Sequence, residues 1–164
     1  MAVAAKGVIV RAFERTLRMK LTSPAFNSGD LLPRRFAKEH GNISPPLKFS
    51  EVPPEAQSLA LIMSDPDAPS GTFTHWVLFN LPPKTTEVRE NESAPGAVPG
   101  RNDYGDFGYG GPRPPSGTHR YFFNAYALDT PLSLSTGASA AEVERAMETH
   151  VLENSKTMGK FSAT

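Results

Sequence analysis

His119-Arg120-Tyr121-Phe122-Phe123-Asn124-Ala125-Tyr126-Ala127-Leu128 is the longest strand-like run of the chain. It carries aromatic or aliphatic side chains at both even and odd positions. A strand with that pattern is buried on both faces, as in the centre of a two-layer β core. Two shorter runs read the same way. Leu59-Ala60-Leu61-Ile62-Met63 is bounded by Pro53-Pro54 and Pro66, and His75-Trp76-Val77-Leu78-Phe79 is closed by Pro82-Pro83. Gly and Pro between these runs break any long helix. Weaker strands are expected around Arg18–Leu21, Leu47–Phe49 and Glu87–Glu90.

Composition bounds the rest. At 164 residues one domain is expected, large enough for a proper core. Lys plus Arg balance Asp plus Glu at 17 each, so a general nucleic-acid-coating role, which needs a basic surplus, is excluded. With no cysteine, disulfides, zinc ribbons, iron–sulfur sites and thiol catalysis are excluded too. No apolar run approaches the roughly 20 residues of a membrane-spanning helix. Residues 1–18 read as a poorly defined extension before a domain over 19–164, with Met19 as an alternative start. Val8-Ile9-Val10 is interrupted by Arg11, too short for a secretory core, so a cytoplasmic location is expected.

One helix is signalled, over Ala140 to Glu153. Ser139-Ala140-Ala141-Glu142 is a capping box, and Val143, Ala146, Met147, His150 and Val151 recur at helical spacing. The 36 residues after Leu128 are expected to hold this helix and no further strand. Asn91 to Gly117 is a long loop rich in Pro and Gly, the kind usually kept for function. Asn42-Ile43-Ser44 and Asn91-Glu92-Ser93 match a glycosylation pattern that matters only in a secreted chain, and are set aside.

Three elements carry candidate chemistry. Asp65-Pro66-Asp67-Ala68-Pro69 leaves an apolar strand, and its prolines hold both aspartates in extended backbone. On its own it also reads as a rigid turn whose carboxylates cap backbone N–H groups. His75 and His119 each stand near the start of a strand. Side by side, those strands would bring both imidazoles to one sheet end near the aspartates. Gly105-Asp106-Phe107-Gly108-Tyr109-Gly110-Gly111-Pro112 allows close backbone approach and can aim N–H groups at an anion. It is neither a dinucleotide fingerprint nor a Walker loop, and a plain tight turn is its alternative.

These motifs together resemble the phosphatidylethanolamine-binding protein family, also called the Raf kinase inhibitor protein family. The matching residues are Asp65-Pro66-Asp67-Ala68-Pro69, His75 five residues before Asn80, and Gly110-Gly111-Pro112 running into Gly117-Thr118-His119-Arg120-Tyr121. Asn42-Ile43-Ser44-Pro45-Pro46-Leu47 also fits, as does Val143 to Phe161, which is similar to the short bacterial and archaeal branch. The resemblance implies a mainly β fold of two antiparallel sheets with Greek-key connections and a small anion pocket. By motif, that pocket is Asp65, Asp67, His75, His119 and Tyr121, walled by Gly110 and Pro112. It also implies phosphate or phosphoethanolamine-like ligands, and in some branches inhibition of a kinase or protease. The eukaryotic C-terminal elements beside the pocket have no counterpart here, so kinase inhibition transfers poorly while the pocket transfers well. Loss of that cover leaves apolar surface, so a homodimer is expected.

Binding without turnover accounts for every pocket residue, with no cofactor, metal or catalytic residue required. Tyr121 and glycine N–H groups would donate to ligand oxygens, and protonated histidines would attract the anion. As a rim residue, His119 is expected to matter for affinity and little for the core. Two other readings use the same residues. An Asp–His pair can activate water in a hydrolase or phosphatase, although Ser64 and Ser70 lack any nucleophile motif. His75, His119 and an aspartate also form a two-histidine, one-carboxylate metal set.

Overall fold

The structure, a computed structural model, describes residues 18–163. The expected extension over residues 1–18 therefore lies, apart from Arg18, outside the described residues. The fold is mainly β, two antiparallel sheets with one α-helix. The smaller sheet has three strands in the order β1 (Lys20–Thr22), β2 (Leu47–Ser50) and β5 (Glu87–Val88). The larger has five, in the order β6 (Val98–Pro99), β4 (Phe73–Leu81), β3 (Ser58–Asp65), β7 (Thr118–Leu128) and β8 (Val151–Ser162). Strands β3, β4 and β6 lie in sequence order, and β7 returns beside β3, the Greek-key arrangement.

The two-faced apolar runs do become the central strands. In β3 every residue but Ser64 is buried, because the sheet is covered on both sides. One face packs Leu61, Met63, Trp76, Tyr121 and Phe123 against Leu21, Leu47 and Phe49 of the small sheet. The other face packs Ile62, Val77 and Phe79 against Val143 and Met147 of helix α1 (Ala140–Met147). Among the described residues no helix is long and apolar enough to cross a membrane.

The C-terminal expectation needs correction. Helix α1 starts at the predicted cap, with Ser139 Oγ accepting from Glu142 N–H at 3.1 Å. It ends at Met147, short of Glu153, and Val151–Ser162 forms β8, a strand the sequence reading missed. Val143 and Met147 are buried under the sheet, whereas Val151, the next member of the helical stripe, is 39% exposed. Strand β8 pairs with β7 along its whole length, from Thr118↔Ser162 to Leu128↔Val151. Those backbone hydrogen bonds cover an edge that β7 would otherwise leave open, and they override the weak helical preference of the segment.

Candidate functional site

The antiparallel order brings three strand ends together. Strand β3 ends at Asp65 between the starts of β4 at Phe73 and β7 at Thr118. On β7, Tyr121 and Phe123 face the inter-sheet core, and His119 continues their side of the strand. Asp65 stands on the same side of β3 as Met63, by the same alternation. His75 arrives there by a bulge. Met63 pairs with Trp76 and Ser64 with Thr74, so His75 is an extra residue on β4. An unpaired residue bends the strand and re-aims its side chain. The His75 ring accordingly meets Tyr121 edge-on, with centroids 5.2 Å apart.

The four side chains form one buried polar cluster. His119 Nδ1 donates to Asp65 Oδ2 at 2.6 Å, and the two residues are 7% and 3% exposed. His75 Nδ1 donates to the Gly110 carbonyl at 2.7 Å. Tyr121 is fully buried between them, its ring stacked 6.5 Å from that of His119. Among the described residues its hydroxyl is the one sealed side-chain polar atom without a hydrogen-bond partner. His119 is thus no rim residue. It caps a carboxylate oxygen inside the fold, and its loss would leave Asp65 Oδ2 buried without a partner.

Asp67 stands apart from this cluster. Its carboxylate holds Arg120 in a two-pronged ion pair, 2.9 Å to Nε and 2.8 Å to Nη2, and also accepts the Arg120 N–H at 2.9 Å. Its own N–H donates to Asp65 Oδ1 at 2.7 Å. Asp67 therefore clamps the Asp-Pro-Asp turn to β7 and fixes the Asp65 carboxylate from behind. It positions the site, and its oxygens are engaged elsewhere.

The glycine loop also departs from expectation, because its amides are engaged internally. Gly110 N–H donates to the His75 carbonyl at 2.8 Å, and Gly108 N–H to Gly100 at 3.0 Å. Gly111 N–H donates to Asn42 Oδ1 at 2.7 Å. The glycines are needed for close packing. A Cβ on Gly110 would overlap the Tyr104 ring, and one on Gly111 would overlap the Phe36 carbonyl. Pro112 is buried and accepts the Lys38 N–H at 2.9 Å, so it shapes the wall from behind. The sequence reading missed Tyr104, whose ring lies edge-on to His75 at 5.7 Å and whose hydroxyl donates to Gly111 at 2.7 Å. It also missed Asp103, which accepts the Thr74 N–H at 2.7 Å and anchors the start of β4. The run Asn102-Asp103-Tyr104-Gly105, with turn-forming Asn and Asp beside an aromatic, was the available signal.

Electrostatics divide the roles. Burial pushes the His75 proton affinity down, more than the Gly110 carbonyl and Asp65 raise it, so His75 is neutral at pH 7. With Nδ1–H facing Gly110, its Nε2 is then an acceptor. Burial, with Asp65 nearby, raises Tyr121 far above the ordinary phenol range, so it stays a neutral donor. Burial likewise lifts Tyr104 to about 12. The Arg120 contacts hold Asp67 at about 2. Asp65 orients His119 with Nδ1 inward, and among the described residues neither imidazole has a partner at Nε2. The cluster can offer Tyr121 O–H as donor and His75 Nε2 as acceptor, with His119 Nε2 as a further donor when that ring is an imidazolium. No Ser or Thr hydroxyl bonds to either imidazole among the described residues. Nor do three or more His, Asp or Glu side chains group there to hold a metal.

Comparison with known proteins gives a consistent picture. The phosphatidylethanolamine-binding protein family model matches residues 22–162. A UPF0098 protein of Methanothermobacter thermautotrophicus is 52% identical over 148 residues, covering 87% of this chain and 98% of the relative. A UPF0098 protein of Pyrococcus horikoshii is 42% identical over 157 residues, covering 90% and 78%. Among solved structures, a phosphatidylethanolamine-binding protein homolog from Chlamydia trachomatis superposes with a TM-score of 0.86 at 40% identity, covering 90% of this chain and 99% of that one. YbcL of E. coli, described as a member of the mammalian family, superposes with a TM-score of 0.85 at 29% identity, covering 90% and 100%.

Proposed function

The chain belongs to the phosphatidylethanolamine-binding protein family, and from that membership we propose that it binds a small phosphate-bearing anion at the Asp65–His75–His119–Tyr121 cluster. The observation that carries this reading is the Tyr121 hydroxyl, sealed inside the protein without a partner. An unsatisfied buried hydroxyl costs about 1–3 kcal/mol, which a ligand oxygen would recover once a small shift of the flanking imidazoles admits it. Protonated His119 supplies a second donor and the compensating charge. Neutral His75 accepts the remaining proton of a monoprotonated phosphate, or the ammonium of phosphoethanolamine. Asp65 keeps the Nδ1 proton on His119, and Asp67 with Arg120 keeps Asp65 in place.

Hydrolysis is the second reading; among the described residues no Ser or Thr hydroxyl bonds to either imidazole, so water would be its nucleophile. We take the protein as a cytoplasmic homodimer that modulates a partner such as a kinase or protease through the ligand-bound surface. Exposed Val151 and Leu152, at the start of the outermost strand β8, support self-association. Light scattering should give twice the 17.7 kDa chain mass, and a monomer at micromolar concentration would remove that part.

The ligand is tested by titrating inorganic phosphate and phosphoethanolamine while following the imidazole resonances of His75 and His119. Saturable shifts of both rings are expected. Rings unmoved by either compound at millimolar concentration would overturn the reading. Chelator-insensitive turnover of a phosphoester, abolished by His119→Asn, would replace it with the hydrolase.

A further inference from the structure

The segment Gly108–Gly111 separates the anion site from a second concavity on the same sheet face. Trp76 and Leu78 of β4 form part of its floor, one and three residues beyond His75, and its volume is about 290 Å³. We propose that this cavity is a second binding site, taking a small aromatic molecule that carries a hydrogen-bond acceptor such as a carboxamide carbonyl. The proposal does not rest on the anion-binding reading.

The walls are aromatic. Trp76 and Tyr109 meet edge-on with centroids 5.2 Å apart and planes at 83°, and both line the cavity. Phe107 stands at the mouth with 53% of its surface exposed, unusual for so large an apolar side chain. It is held there, because Arg101 lies 5.7 Å from its ring centre. Gly137 lets the ring approach so closely that a Cβ would lie 2.8 Å from it. A flat ring entering the cavity finds edges and faces of three aromatic rings, the geometry that favours aromatic pairing.

At the floor the polar groups left over can all donate, whereas the Glu92 carboxylate, an acceptor, stands with exposed Asn91 and Ser93 in the outer wall. Trp76 is 3% exposed and Ser44 8% exposed, yet among the described residues neither the indole N–H nor the Ser44 hydroxyl has a hydrogen-bond partner. Neither atom is fully sealed, and both residues line the cavity. An indole N–H can only donate. Asn42 Oδ1 accepts the Gly111 N–H, which leaves the amide hydrogens of this lining residue without a partner among the described residues. A ligand acceptor is what these groups lack.

Two loop residues of the lining have unusual backbone. Asn42 and Asn91 hold left-handed backbone with φ of 54° and 58°. Such conformations persist where the surrounding structure over-determines them, often at ligand sites. The Asn91 N–H donates to the Ser44 carbonyl at 3.0 Å and ties one wall to the other. The volume sits at the small end of ligand pockets, the size of a single substituted ring.

Trp76 is the chain's single tryptophan, so its fluorescence and its indole N–H resonance give an unambiguous signal at this cavity. Benzamide is the probe. A saturable shift of the indole N–H with an apparent Kd of about 1 mM or tighter is expected, along with ring-to-ring Overhauser contacts to Trp76 and Tyr109. Cyclohexanecarboxamide should bind at least about fivefold more weakly, because it lacks the ring pairing. Ser93→Phe, a change at an exposed lining residue that fills the mouth, should weaken benzamide about tenfold or more and leave phosphate shifts at His119 unchanged. An indole N–H unmoved by benzamide at about 10 mM would overturn the proposal. Equal affinity for the cyclohexane analogue, or an unchanged titration in a folded Ser93→Phe variant, would overturn it as well.

Discussion

His119 and Asp65, 54 residues apart in the chain, share a 2.6 Å hydrogen bond with both side chains more than nine-tenths buried. A buried carboxylate without a counterion is strongly destabilising, so each partner makes the other tolerable. The pair is structural, and in the proposed reading it also serves the anion site. It holds β3 to β7 and leaves one imidazole nitrogen, His119 Nε2, outside the bond.

That coupling predicts a non-additive cycle. His119→Ala should destabilise the fold by about 3–5 kcal/mol, since Asp65 Oδ2 is left buried without a partner. Asp65→Ala should cost a comparable amount. The double variant should cost less than the sum of the two, by about 1–3 kcal/mol, as measured by urea denaturation. Strict additivity would mean that the pair is not formed. His119→Asn, which retains a donor toward Asp65 but has no Nε2, should keep most of the stability and lose the phosphate response.

Tyr121→Phe separates binding from folding in the opposite direction. Deleting a hydroxyl that has no partner should leave stability unchanged or raise it by about 1 kcal/mol. Phosphate affinity should fall about tenfold, because that hydroxyl is the neutral donor of the site. A large loss of stability would show that Tyr121 is satisfied by a group inside the protein.

Acid should weaken the fold in two stages. His75 takes up a proton less readily when folded than at its ordinary value of 6.5, so the unfolded chain binds more protons below that pH. Stability is therefore greatest above 6.5 and declines as pH falls toward the lower folded value. Asp67 acts in the same direction further down. Its contribution is complete above the ordinary 3.8 and is lost as pH falls through about 2. Urea midpoints between about pH 7.5 and about pH 5 should fall in the native chain and less in His75→Gln. An equal fall in both would assign the acid sensitivity to other groups.

Gly111→Ala should damage the site wall by crowding alone. The added methyl would meet the Phe36 carbonyl and lie 2.8 Å from the Lys38 nitrogen, both backbone atoms with little room to move. A loss of about 1–3 kcal/mol is expected, with the phosphate titration weakened because the neighbouring Gly110 carries the hydrogen bond to His75. An unchanged melting temperature would mean that the loop shifts freely.

The local part of this architecture was legible in the chain. Apolar runs closed by prolines marked β3, β4 and β7, and Ser139 with Glu142 marked the start of the helix. Asp65, His75, His119 and Tyr121 could be placed at one sheet end because antiparallel neighbours set one strand's end beside another's start. These features depend on residue type and short spacing, which a sequence displays directly.

Tertiary structure decided what depends on partners far along the chain. Strand β8 forms because β7 offers it a complete ladder, and nothing in Val151–Ser162 announces that by itself. His75 reaches the inter-sheet side through a bulge whose register is set across β3. Asp65 and Asp67 look alike in sequence, yet one meets His119 inside the protein and the other meets Arg120 at its surface. The glycine amides read as open donors until Asn42, Gly100 and the His75 backbone engage them. In each case the outcome turned on which hydrogen-bonding group was already taken, and pairing across long sequence distances is established only when the chain folds.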